Sequence, residues 1–579
     1  MGDPITLPDR SGGQRPFWDG GGLCSPGKWP PSRRKVPGGL VREVGRYLRR
    51  QLERCKVPEI YKKAISQSLK GSPFPEELVS ETREQIRKMM REAGYSAHPQ
   101  EGDQPQEFEC RLMGALLRAA EDPDADFWSL LAVGVPLGVG VRMPRTPAVF
   151  AQKKKWNLKG QREGAELPEA AWKANYKSAA ENKAWLRGHF KAEVRAGRMR
   201  RMSRTEARRR YGHSLKLAAL GCIQKDSGGD DFRLIHDATH EVGVNVAIRQ
   251  RDVTEVPQAK DIRRALTLQA GSGRRHVGLT ADISHAHRLV RIRPADWGLQ
   301  ACEIDPEDEE VYANTCGTFG VTTAGYWWDR LGAGGQRLQH YLTAPDQQVW
   351  SMRVSDDLDW HADGQAAEVD VLFGLFLLVV LAFPVSWHKV KGGSRYGWVG
   401  YEVQLDRFAL GLTQKRADWM IAWFSKALAT GTLDLGELAE VVGRLLFTYG
   451  ALPYDLPFLA PLYQLSAHHG RVGIVRLPLY VQMTLAWLRR RLRERRTAVC
   501  SPRKSNLGNL FRVDAKAEGR VVVIGGWRPH TCEVSGRIDT KTSEWFSVEL
   551  SEEVAPWAYY KGEPYRAISA LELLATAVS

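Results

Sequence analysis

The chain has 579 residues, enough for three or four domains and at least one large core. Apolar residues make up 43% and charged residues 26%, the proportions of a globular protein, and the formal net charge of +16 predicts a polyanionic partner, either nucleic acid or an anionic membrane surface. None of the eight cysteines forms a Cys-x-x-Cys pair, which excludes a zinc knuckle or disulfide framework and fits a reducing interior.

Residues 1–40 are rich in Gly and Pro with scattered Trp, and read as disordered. They carry no secretory signal, and Asp3 and Pro4 count against the formal myristoylation pattern at Met1–Thr6. Residues 41–149 read as a helical region of unassigned role: Val41, Val44 and Leu48 recur at helical spacing, and a second run follows Pro73 and Pro75 and ends near Gly94. Residues 150–216 read as a basic helical segment, from Lys153-Lys154-Lys155 to Arg208-Arg209-Arg210, interleaved with Trp156, Trp172, Tyr176 and Trp185. A solvated helix face or a nuclear-import patch fits that composition, but the arginine density favours phosphate contact. Leu217–Gln224 and Phe232–Asp237 then read as a hairpin whose turn is flanked by Lys225 and Arg233, cations suited to a triphosphate.

Val277–Ile283 reads as a buried strand that ends at an acid, Asp282, which is costly to bury unless paired or metal-bound. Asp356-Asp357 closes the apolar run from Met352 and enters Leu358-Asp359-Trp360. By itself the pair also fits a solvated turn, because Asp is a common turn residue. A sheet can bring the three carboxylates together, and hard oxygen ligands with room for substrate phosphates suit two magnesium ions. Between them, Thr318-Phe319-Gly320 and its small neighbours would let backbone approach a base pair before the aromatic run Tyr326-Trp327-Trp328 enters a helix. The run Val371–Trp387 falls short of the ~20 residues that span a bilayer and reads as a core helix, so no membrane is expected.

This ordered set resembles the reverse transcriptases of retroelements, of the long-terminal-repeat or tyrosine-recombinase type, over roughly residues 204–470. The resemblance implies an α+β right-hand polymerase with fingers and palm in 217–405, thumb or connection in 406–470, and a basic helix and linker in 471–505. It implies Asp282, Asp356 and Asp357 as the metal-binding acids and Lys389 as a proton donor to pyrophosphate. Lys225 and Arg233 would meet the incoming deoxynucleoside triphosphate, His287 would stand at the sugar gate, and Phe319 and Gly320 would face the template and nucleotide. Trp398, Val399, Gly400 and Tyr401 would form the primer grip. Val354, followed by Ser355, stands where the family usually has Tyr, His287 where it has an aromatic gate and Gly325 where many members have Pro, yet none of these is a metal ligand.

Residues 506–579 resemble the first half of a ribonuclease H-like α/β domain, with Asp514 as a strand acid and Glu572 as a helix acid. The later acids of that family are missing, so little ribonuclease H activity is expected. The expected partners are an RNA or DNA template, a primer and deoxynucleoside triphosphates, and the expected location is nucleus or cytoplasm. The alternative is a degenerate or repurposed element protein that binds nucleic acid without catalysis. A membrane-associated basic protein is a third reading, resting on charge and one apolar run.

Overall fold

The computed structural model describes residues 38–141, 143–146, 149–152, 167, 169, 171–225, 231–254, 256–270, 273–343, 349–469, 472–500, 511–531 and 538–578. The expectations for residues 1–37, for Lys153 to Trp156 and for the hairpin tip 226–230 lie outside them. The chain divides into two units, Met1–Cys500 and Ser501–Ser579.

The first unit opens with four helices, α1 (Gly39–Glu53), α2 (Val57–Ile65), α3 (Glu76–Glu92) and α4 (Cys110–Ala119). In α1 the apolar stripe Val41, Val44, Leu48 and Leu52 is buried, and α3 starts after Pro75 with Glu76 and Glu77 favourably placed at its positive end. These helices are not a separate lobe. Their apolar faces belong to the same core as Val277, Leu279, Trp327, Trp360 and Phe376. At Gly45 a Cβ would lie 2.1 Å from the Leu342 carbonyl, so only glycine permits that approach.

The basic segment is not wholly helical. Helices α5 (Lys183–Arg195) and α6 (Arg204–Tyr211) flank a strand, β1 (Met199–Ser203), that carries Arg200 and Arg201. Arg198, Arg201 and Arg204 are spent on Glu193, Glu310 and Glu303, so ion pairing within the fold accounts for much of this density. Arg208, Arg209 and Arg210 stay exposed on the last turn of α6, where cations suit the helix dipole. The hairpin follows as β2 (Ala219–Gln224) paired with β3 (Phe232–Asp237).

The central sheet contains β4 (His276–Asp282), β6 (Val349–Val354), β7 (Asp357–Asp363) and β8 (Lys391–Gly393), all antiparallel, in the order β8-β4-β7-β6. A separate strand, β5 (Glu310–Asn314), pairs with β1. Helices α7 (Thr322–Leu342) and α8 (Ala367–Val380) share the sheet's core. Helix α8 is apolar on nearly every side, as a helix enclosed by protein must be. Among the described residues no helix is long and apolar enough to cross a membrane.

A second core follows. Strands β9 (Arg395–Trp398), β10 (Tyr401–Gln404) and β11 (Ala409–Leu412) form a meander that packs with α9 (Gln414–Thr430), α10 (Leu435–Tyr449) and α11 (Leu479–Glu494), and β12 (Thr497–Val499) returns beside β11. The pattern of residues 404–470 reads in sequence as helical, and β11 departs from that reading. Helix α11, which falls in the basic helix and linker expected over 471–505, buries Val481, Leu485, Leu488 and Leu492 in this core while its arginines stay outside.

In the second unit β13 (Arg512–Glu518), β14 (Val521–Thr531) and β15 (Ile538–Glu549) form an antiparallel meander, followed by α12 (Ile568–Val578). Val522, Ile524, Leu571 and Ala575 form its core.

Candidate active site

Strand β4 ends at Asp282 and β7 begins at Asp357, and in their antiparallel register these two residues lie opposite each other. Directly opposed side chains on paired strands have Cβ atoms ~4.5–5.5 Å apart. Ser355 and Asp356 form the turn between β6 and β7, with Ser355 in the left-handed region at φ 54°. The Ile283 amide donates to the Asp356 carbonyl at 3.1 Å, tying that turn to the end of β4. The fold therefore gathers all three acids at one end of the two central strands.

Their electrostatics reflect the crowding. Burial, then the charges of Asp356 and Asp282, push the Asp357 carboxyl up to about 6, against the pull of Lys389 and Lys391. Lys389 Nζ donates to Asp282 Oδ2 at 2.9 Å from a short helical turn, Trp387–Lys389. The donor set, hard carboxylate oxygens short of positive charge, fits magnesium. Among the described residues no three His, Cys, Asp or Glu side chains form a ready-made metal cage. Magnesium does not require one, since it completes its shell with waters and substrate phosphates.

The turn bearing Asp356 is held from below by a residue that the sequence did not single out. Arg353 is 1% exposed in its side chain. Its Nη1 donates to the Ser355 carbonyl at 2.8 Å and to Asp329 Oδ1 at 3.0 Å, and its Nη2 donates to the Asp329 carbonyl at 3.1 Å. An arginine inside the apolar run Val349–Val354 was the available signal.

Phe319 is 54% exposed, and its ring centroid lies 6.4 Å from that of His287. Burial pushes the His287 imidazole down despite nearby Asp356 and Asp329. Gly320 has φ +107°, and a Cβ there would lie 1.9 Å from the His236 carbonyl, so the position requires glycine. Asn245, also missed in the sequence, clamps this turn: its Nδ2 donates to the Gly320 carbonyl at 2.7 Å and its Oδ1 accepts from the Thr322 amide at 2.8 Å.

Lys225 pairs with Asp231 at 2.9 Å across the hairpin, while Arg233 stands exposed on β3. Val399 (φ 42°) and Gly400 (φ 85°) form the tight β9–β10 turn. Trp398 and Tyr401, however, are core residues. The Tyr401 hydroxyl donates to the Phe447 carbonyl at 2.8 Å and its ring stacks on Phe447. Of the four residues expected as a primer grip, these two rings are thus packed inside and the half-buried Val399 and Gly400 form the turn between them.

Asp514 and Glu572 do not form a site. On β13 the residues Val513, Ala515 and Ala517 face the core shared with Leu571 and Ala575 of α12, and Asp514 lies on the opposite, exposed face. Glu572 is exposed on α12. A strand's period of two sends the neighbours of a core residue away from the covering helix.

No family model and no curated protein matches the sequence. Among solved structures the chain is similar to a foamy viral protease-reverse transcriptase dRH in complex with double-stranded DNA, at 14% identity and a TM-score of 0.43, over 67% of this chain and 59% of that one. It is also similar to a foamy viral protease-reverse transcriptase in complex with an RNA/DNA hybrid, at 14% identity and a TM-score of 0.42, over 71% of this chain and 49% of that one. The chain thus spans less than two thirds of either protein.

Proposed function

We propose that this chain is a nucleic-acid-templated DNA polymerase of the reverse-transcriptase type encoded by retroelements, adding deoxynucleotides to a primer 3′-hydroxyl. The observation that carries the reading is the meeting of Asp282, Asp356 and Asp357 at the ends of β4 and β7, beside Lys389. In this reading the central sheet is the palm, the β2–β3 hairpin belongs to the fingers, and α9 and α10 to the thumb. Two magnesium ions held by the three carboxylates would activate the 3′-hydroxyl and neutralise charge on the departing pyrophosphate.

The chain's own groups do the rest. Ionised Asp357 would be one of the acids that hold the metal ions, and Lys389, released from Asp282, can protonate the leaving pyrophosphate. Lys225 and Arg233 hold the triphosphate, while His287 and Phe319 pack against the nucleotide and Gly320 gives backbone room. The Val399–Gly400 turn abuts the primer, and exposed arginines such as Arg208 to Arg210 contact template or primer phosphates.

Primer extension on an RNA template with magnesium, compared with Asp356→Asn/Asp357→Asn, tests this. Extension by the parent and none by the double variant is expected; equal extension by both refutes the assignment. Lys389 on Asp282 also favours a second reading, a nucleic-acid-binding protein without catalysis, since it places a cation on one of the three acids. Tight primer–template binding with no magnesium-dependent incorporation supports that reading instead.

A further inference from the structure

A cavity of about 140 Å³ opens beside Phe319, lined in part by β3 and by the turn that follows Asp282. His189, His236, His285, Arg288, Thr318 and Phe319 are among its walls. His236 is 2% exposed, and among the described residues its buried Nε2 has no hydrogen-bond partner. Buried polar atoms are ordinarily hydrogen-bonded, so this nitrogen has hydrogen-bonding capacity to offer a ligand. Burial, then the charge of Arg288, pushes the His236 imidazole down to about 4, so near neutral pH it offers a hydrogen bond without charge.

The charged groups around the cavity are already spent. Arg288 donates through Nε and Nη2 to Glu193 Oε2 at 2.9 and 2.6 Å, and through Nη1 to Asn314 at 2.7 Å. Arg198 takes Glu193 Oε1 at 2.6 Å. Among the described residues lining it, a phosphate would find no free guanidinium and a cation no free carboxylate. What remains is neutral hydrogen-bonding capacity and aromatic surface: Phe319 at the mouth, and His189, whose ring stacks on Trp185 at 5.0 Å. A flat, neutral heterocycle matches that set, recognised by stacking on its face and hydrogen bonding at its edge.

We propose that this cavity receives one unpaired nucleobase of the bound strand, with its edge on His236 Nε2 and its face against Phe319. The proposal rests on the nucleic-acid reading above and names a base-binding subsite within it.

The test uses the full chain with primer–templates that carry 2-aminopurine at the templating base or at the first or second unpaired template base. At one position, fluorescence changes at least about twofold on binding, because the base leaves its neighbours for an aromatic wall. His236→Phe fills the cavity and abolishes that change while duplex affinity is retained, and His236→Gln, which keeps a hydrogen-bonding group, preserves part of it. Phe319→Ala alters an exposed side chain and serves as the second variant if His236→Phe does not fold; it too removes the signal. A response that is the same in parent and variants, or none at any position despite duplex binding, overturns the subsite and leaves the polymerase reading standing. Failure of the parent to bind the duplex overturns both.

Discussion

Asp357 sits across from Asp282 at the open end of two paired strands, and Asp356 adjoins it in the turn. Burial and these two neighbours hold the Asp357 carboxyl near 6. A folded-state value above the unfolded one means that the folded chain grips the proton more tightly. The associated stability is full below the ordinary carboxylate value and is lost as pH rises through about 6. In the absence of divalent cations the chain is therefore expected to lose about 1–2 kcal/mol between about pH 4 and about pH 7 from this group, discounted for its partial exposure. Asp357→Asn should flatten that slope. Thermal melts in a chelator at both pH values check it, and parallel slopes in the two proteins count against the crowding of the three acids.

Arg353 fixes the turn that presents Asp356. Arg353→Met leaves Asp329 without its partner and frees the Ser355 carbonyl, and breaking a buried pair in this way costs about 3–5 kcal/mol. Arg353→Lys keeps the charge but not the fork that serves two acceptors at once. If the turn is held as described, Arg353→Lys lowers the rate of primer extension more than it lowers primer–template affinity. A variant with unchanged extension and only reduced melting temperature would show that Arg353 serves stability alone.

The strand ending at Asp282 and the strand-turn-strand around Asp356-Asp357 were legible because apolar runs and turn residues are local signals. Arg353 was not: its partner Asp329 lies on α7, and nothing local distinguishes a buried arginine from one on a solvated strand face. The burial of Trp398 and Tyr401 was illegible for the mirror reason, since an aromatic side chain suits a core as well as a ligand surface. Asp514 and Glu572 each had the right element type, but the alternation of Val513, Ala515 and Ala517 with charged neighbours already put Asp514 on the face away from α12, a signal the family resemblance overrode. The helices of residues 41–149 were legible as helices, whereas their membership in the central core depends on long-range contacts such as Gly45 against Leu342.

Gly320→Ala tests the geometry of the Phe319 turn. The added methyl meets the backbone carbonyl of His236, which cannot swing away as a side chain can, and the positive φ adds strain of about 1 kcal/mol or more. The turn must shift away from β3, carrying Phe319 with it. Nucleotide incorporation should fall at least about tenfold, the scale of roughly 1.4 kcal/mol in a barrier, with the far-ultraviolet circular dichroism unchanged. Wild-type incorporation by Gly320→Ala would show that Phe319 is not held against the reacting nucleotide.

The buried ion pairs between the N-terminal region and α7 make the last prediction. Arg337 donates to Asp122 at 2.6 and 3.0 Å, Tyr341 donates to the same carboxylate at 3.1 Å, and Arg330 donates to Asp124 at 2.6 and 2.9 Å. All four charges are buried, so removing one partner strands the other in a low-dielectric interior. Asp122→Ala should therefore cost about 3–5 kcal/mol, a large share of the 5–15 kcal/mol that holds a typical domain together. Asp122→Ala with Arg337→Met removes both charges and should recover part of that loss, because a methionine can fill the space without a counter-ion. Denaturant unfolding of the three proteins measures the coupling. Additive losses would mean that the two side chains do not share one interaction and that the N-terminal helices are held to α7 by apolar packing instead. Recovery in the double variant would make residues 110–124 an integral wall of the core behind the three acids, so that a chain beginning after them would lose the site along with the fold.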